Sequence, residues 1–151
     1  MKKNLTRDVI ITEVFQKKCL FERMSSSEDD TKINYSYSYG VVINDKNHGA
    51  AELILFADGV SGEGKKPLFQ CEISFIGMFY LEKSKSKKMM QDFLDSEAPA
   101  ILLPYIRESL STLSIKAGLP PILLPPTDLN DMLSVQDWER ESTEPQENNE
   151  Q

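Results

Sequence analysis

Histidine occurs once in this sequence, tryptophan once and cysteine twice. Soft metal ligands are therefore scarce, and neither Cys19 nor Cys71 belongs to a CxxC or any other metal-ligand spacing. Both cysteines fall in strand-like segments, where a free thiol acts as a small buried hydrophobe and points to a reducing compartment. Long apolar runs are missing too. No stretch approaches the roughly 20 residues that span a bilayer. Met1-Lys2-Lys3 is not followed by an apolar core of signal-peptide length. The expectation is a soluble, cytoplasmic protein with no membrane insertion. Positive charge is in the minority, at 17 Lys and Arg against 24 Asp and Glu, for a formal net charge of −7. A chain of that sign repels phosphate backbones, which argues against nucleic acid and for a cationic partner. The ends differ: Lys2, Lys3, Arg7, Lys17 and Lys18 outweigh Asp8 and Glu13 near the start, whereas Glu139, Glu141, Glu144, Glu147 and Glu150 face Arg140 alone near the end.

What is present suits one domain, since 151 residues can bury a sizeable core without metal or disulfide. Residues 8–23 are rich in β-branched and aromatic side chains and predict a strand. Residues 24–32 are polar and predict a loop. Tyr35, Tyr37, Tyr39, Val41 and Ile43 alternate with small residues, the pattern of a strand with one buried face. The tyrosine stripe fits core or subunit interface better than a ligand box. After a turn at Asn44–Gly49, residues 50–57 and 68–81 predict two more strands, the last with Phe69, Cys71, Ile73, Phe75, Phe79 and Leu81 on one face. Four strands joined by short loops imply a meander-like antiparallel sheet.

After Glu82 the period changes. A basic linker carrying Lys83, Lys85, Lys87 and Lys88 leads to a short amphipathic piece at Met89, Met90, Phe93 and Leu94. Ser96 is the expected N-cap of a helix with Pro99 in its first turn. Leu102, Tyr105, Ile106, Leu110, Leu113 and Ala117 recur at helical spacing. Pro104 should bend this helix or mark its true start, and Gly118 suits its end. The four prolines of residues 119–126 force an extended strap carrying Leu119, Ile122, Leu123 and Leu124. A second short helix is expected from Thr127, using Leu129, Met132, Leu133 and Trp138. The fold class is thus α+β: a four-stranded antiparallel sheet with two C-terminal helices on one side. Residues 1–138 form the domain, and 139–151 a disordered acidic tail.

Two apparent motifs fail on inspection. Gly59-Val-Ser-Gly-Glu-Gly-Lys65-Lys66 nearly matches a phosphate-binding loop, but Lys66 stands where a Mg²⁺-binding hydroxyl is needed and Pro67 and a strand follow instead of a helix. A hairpin loop is the better reading. His48 lies in an Asn-His-Gly turn with no evident nucleophile or carboxylate set. No paired carboxylates suggest acid–base work, so neither an enzyme nor a cofactor is expected.

The segment 98–133 is the informative one: a helix that starts with proline and ends at glycine feeds an apolar strap. Pro99, Ile101, Leu102, Pro104, Tyr105, Arg107 and Glu108, then Gly118, Pro120, Leu124 and Pro126, fall in a pattern that closely resembles the SecB family of export chaperones. Phe21-Glu22, Phe69-Gln-Cys71-Glu72-Ile73 and Gly77-x-Phe79 are similar to its strands. The resemblance covers about residues 10–135. It implies an ATP-independent holdase that keeps unfolded preproteins competent for export, assembled as a homotetramer, a dimer of dimers. The subunit interface is then expected at Cys71, Ile73 and Phe75. A client groove is expected at Tyr105, Leu119, Ile122, Leu123, Leu124, Leu129, Met132 and Leu133. Contact with the SecA ATPase is expected at Glu22 and Glu72, while a third position that is acidic in the family is Lys18 here. The family's Trp-x-Pro segment after the first strand is replaced by polar residues. Those departures keep open a chaperone devoted to one partner, such as an antitoxin, or an adaptor that kept the fold without the groove. On composition alone, a loop sealing its own core is the better reading of the strap, and the family resemblance reverses that preference.

Overall fold

A computed structural model describes residues 9–26 and 30–125. It contains β1 (Val9–Arg23), β2 (Thr31–Ile43), β3 (His48–Ser61), β4 (Lys66–Leu81), α1 (Lys87–Ser96) and α2 (Ala98–Lys116). The helix expected from Thr127 and the acidic tail lie outside the described residues.

The four strands form one antiparallel sheet in the order β1-β4-β3-β2. Only β2, β3 and β4 form the expected meander; β1 pairs with β4, in the manner of a Greek key. The physical reason lies at the polar stretch after β1. Met24 N–H donates to the Leu68 carbonyl at 2.7 Å, the Ser25 hydroxyl to the Pro67 carbonyl at 2.7 Å, and Gly62 N–H to the Asp30 carbonyl at 3.3 Å. This connection crosses the end of the β3–β4 hairpin and delivers the chain to the far edge. The hairpin itself turns at Gly62–Lys65, with both of those residues at positive φ, 74° and 50°. The phosphate-loop lookalike is thus a β-turn.

The period-two pattern of β3 and β4 is realised as burial on one face. Leu53, Leu55, Phe69, Ile73, Phe79 and Leu81 point towards the helices and are buried. Tyr37 and Tyr39 continue that face on β2, and the Tyr39 hydroxyl donates to the Leu94 carbonyl. Gly77 sits where a Cβ would stand 2.7 Å from the Phe79 ring and 3.0 Å from Leu102, so β4 can carry α2 at close range.

Helix α1 starts at Ser86, whose hydroxyl accepts from Met89 N–H at 3.2 Å. The cap expected at Ser96 is therefore not there: Ser96 ends α1, and its hydroxyl donates back to the Asp92 carbonyl. Helix α2 begins one residue after Glu97, with Pro99 in its first turn, where a missing N–H costs nothing. It runs through Pro104 without ending. Leu102, Ile106 and Leu110 are fully buried against the sheet, each contributing about 1.5–3 kcal/mol of apolar burial, enough to hold a helix across one lost hydrogen bond. Gly118, at φ 76°, closes α2 as a Schellman motif: Leu119 N–H reaches the Ser114 carbonyl at 2.9 Å and Gly118 N–H the Ile115 carbonyl at 2.9 Å.

Candidate functional site

The glycine turn sends the strap back along α2. Ile122 N–H donates to the Ser114 hydroxyl at 3.0 Å, and Arg107 donates from Nη2 to the Leu124 carbonyl at 3.2 Å. Both anchors grip main chain, as prolines at 120, 121 and 125 leave it few hydrogen bonds of its own. Leu119, Ile122 and Leu124 turn inward and are 7%, 7% and 3% exposed, whereas Leu123 is 76% exposed. Within the subunit, then, three of the four expected groove residues between 119 and 124 seal the core and one faces out. Leu129, Met132 and Leu133 lie outside the described residues.

Tyr105 does not join the strap. Its ring, 43% exposed, packs on Phe75 of β4 at 5.6 Å. One turn further on, Ser109 receives a hydrogen bond from Gln16 of β1 at 3.4 Å. This flank of α2 faces β1; Arg107 and Ser114, which hold the strap, occupy the other. Two apolar surfaces therefore lie on either side of one helix. The strap side is backed by Tyr35 and Tyr37, packed edge to face at 6.0 Å. Tyr37 is pushed up to about 12 by burial and by Tyr35, with Arg107 opposing, and so stays neutral.

The β1 side went unnoticed in the sequence. Helix α2 covers β4 and β3, and β1 overhangs it. Ile11 is exposed and Val14 and Phe21 half-buried on the helix side, and Ile10, Phe15 and Leu20 are exposed on the other. The signal was present: Val9-Ile-Ile and Cys19-Leu-Phe are apolar runs without alternation, which marks a strand in contact on both faces. Cys19, expected to be buried, is exposed here, while Cys71 is buried and both thiols are free.

The open face of the sheet carries charge in pairs. A bulge between Gln16 and Lys18 turns Lys17 and Lys18 to the same side. Lys17 meets Glu52 at 3.3 Å and Lys18 meets Glu72 at 2.5 Å. Glu22 accepts from Gln70 Nε2 at 3.0 Å. Glu22 and Glu72 thus share the face opposite the helices, and Glu72 is partly neutralised. Cys71, Ile73 and Phe75, expected at a subunit interface, are 8% exposed or less within this subunit. His48 braces its turn, with Nδ1 2.9 Å from Asp45; the carboxylate neighbour missed in the sequence is three residues away.

The family model described as "Preprotein translocase subunit SecB" matches residues 2–140. The chain belongs to the SecB family. A protein-export protein SecB of Anaplasma marginale is 33% identical over 72 residues, 48% of this chain and 41% of that protein. The chain thus aligns with about two-fifths of that relative's length. The Ehrlichia canis protein-export protein SecB is 30% identical over 104 residues, 64% of this chain and 59% of the other. An uncharacterized protein of Methanocaldococcus jannaschii is 28% identical over 125 residues, 80% of this chain and 79% of the other. Among solved structures, a Mycobacterium tuberculosis SecB-like chaperone in complex with a ChAD peptide from the HigA1 antitoxin superposes with a TM-score of 0.70 at 13% identity. The match covers 82% of this chain and 94% of that one, and it establishes the SecB-like fold. SecB-family chaperones are not enzymes, and no helix among the described residues is long and apolar enough to cross a membrane.

Proposed function

We propose that this SecB-family chain is an ATP-independent holdase for unfolded polypeptides. The observation that carries the reading is the pair of apolar surfaces left open around α2: Leu123 on the strap side, and Tyr105 with Ile11 and Phe21 on the β1 side. Unfolded chains differ in sequence and share only apolar side chains and extended backbone. A surface of leucine, isoleucine and aromatic rings, with no demand for one shape, fits that class of guest. Each patch offers weak contact at about 25 cal/mol per Å². Repetition of the patches on a homotetramer turns weak contacts into avidity for one long chain. Holding the unfolded state withdraws it from folding by mass action, with no nucleotide needed.

The test is light scattering of a reduced, denatured preprotein diluted into buffer with and without the chain. Suppression at near-stoichiometric ratios, weakened by Leu123→Ser and by Tyr105→Ser, is expected. Unchanged aggregation at a large excess of the chain would overturn the reading.

A second reading, a chaperone devoted to one partner such as an antitoxin, draws on two observations. Lys18 occupies Glu72, one of the two carboxylates expected to meet SecA. The structural neighbour was solved with an antitoxin peptide. Protection of one client among many, and no measurable binding to SecA, would favour it.

A further inference from the structure

One end of the sheet concentrates the chain's scarce positive charge. The β2–β3 turn is tied to the end of β4 there: Asn47 Nδ2 donates to the Leu81 carbonyl at 2.7 Å, and Leu81 N–H to the Asn47 carbonyl at 2.8 Å. The turn carries Lys46. The linker after β4 carries Lys83 and Lys85, and the first turn of α1 carries Lys87 and Lys88, with no acidic residue in it. Val9 pairs with Leu81, so β1 starts at the same end. Five of the 17 Lys and Arg residues, Lys46, Lys83, Lys85, Lys87 and Lys88, belong to this pole, against Asp45 and Glu82 among the 24 acids. The rest of the chain is therefore strongly negative.

These lysines differ from those on the sheet face. Lys17 and Lys18 have carboxylate partners. Lys46, Lys85, Lys87 and Lys88 are exposed and make no ion pair with any described residue. Lys87 and Lys88 also stand at the positive end of the α1 dipole, where cations weaken a helix. Apolar side chains accompany them: Ile10 is 52% and Val42 61% exposed at the same end of the sheet.

We propose that this pole is a docking surface for an anionic phospholipid membrane, met end-on. Unpaired lysines beside exposed aliphatic groups match a headgroup layer with hydrocarbon beneath it. The pole lies at the end of the sheet, so a plane touches it while the acidic body stays clear and is turned outward by repulsion. A nucleic-acid strand would run past the pole onto that acidic body, and the pole presents lysines rather than arginine forks.

The full chain is sedimented with vesicles of equal parts phosphatidylglycerol and phosphatidylcholine, and with vesicles of phosphatidylcholine alone. Binding to the anionic vesicles only, lost in high salt, is expected. Each lysine contributes about fivefold near an anionic surface, so Lys85→Gln/Lys87→Gln/Lys88→Gln should weaken binding by about a hundredfold. Lys85→Gln alone, outside the helix, should weaken it by about fivefold and guards against misfolding of the triple variant. Lys17→Gln/Lys18→Gln should leave it unchanged. Equal loss in the pole and sheet-face variants, no binding to anionic vesicles, or stronger binding to transfer RNA than to vesicles would each overturn the proposal. Client protection is scored on the same samples, so loss of vesicle binding is read separately from loss of holdase action.

Discussion

Strands β1 and β4 lie side by side, hydrogen-bonded from Val9–Leu81 to Arg23–Phe69, and carry similar apolar residues to opposite ends. On β4 nearly every large apolar side chain is spent inside the subunit, against α1, α2 and β3. On β1 they are shared between both faces of an edge strand and remain largely in water. The difference teaches that β4 defines the fold, while β1 presents apolar surface that a single subunit leaves uncovered. Long apolar edge strands are aggregation hazards unless managed. Here two bulges, between Ile11 and Glu13 and between Gln16 and Lys18, and the paired lysines on its open face blunt that hazard.

The comparison breaks most visibly if truncation costs the two strands equally. Phe79→Ala on β4 should lower stability by about 3–5 kcal/mol in urea denaturation, whereas Phe15→Ala on β1 should cost less than about 1 kcal/mol. Gly77→Ala should come next, at about 1–3 kcal/mol, because the added methyl group meets the Phe79 ring and Leu102. The two thiols sharpen the contrast chemically. Iodoacetamide should modify Cys19 of β1 well before Cys71 of β4. Burial, then the charges of Cys19 and Glu72, push the Cys71 thiol up from 9.0 to about 12. Between those values the unfolded chain loses a proton that the folded chain keeps, so stability should fall as pH rises through that window. Cys71→Ala should flatten the fall in urea midpoint with pH. The smallest effect belongs to the exposed Lys18–Glu72 pair, where Lys18→Gln should change stability by less than about 1 kcal/mol. A larger loss would mean that the open face is under more constraint than its exposure suggests.

Much of the fold was legible because alternation and burial coincide where one face is dry. The Tyr35–Ile43 stripe, the Phe69–Leu81 stripe and the Gly118 stop all carried through. The crossing of β1 to β4 was not legible: it depends on Met24 and Ser25 finding the Leu68 and Pro67 carbonyls, contacts between residues more than forty positions apart. The break between α1 and α2 was legible to within one residue, since a cap was expected at Ser96 and α2 starts after Glu97, whereas the cap that Ser86 gives α1 was not read. At the candidate site, composition could mark the strap but not which way each side chain turns. Tyr105 and Arg107, two residues apart on a helix, were bound to lie on different flanks, which a helical projection would have shown. Cys71, Ile73 and Phe75 were expected at a subunit interface by resemblance, and their alternation with Gln70 and Glu72 already placed them together on the face that is buried in the subunit.

The strap is fastened by its peptide groups, through Ser114 and Arg107, rather than by the side chain it shows to water. A residue at position 123 can therefore change identity without disturbing the path of the backbone beneath it. Natural drift, or a library built at that site, should alter guest preference while leaving the scaffold's melting behaviour almost untouched.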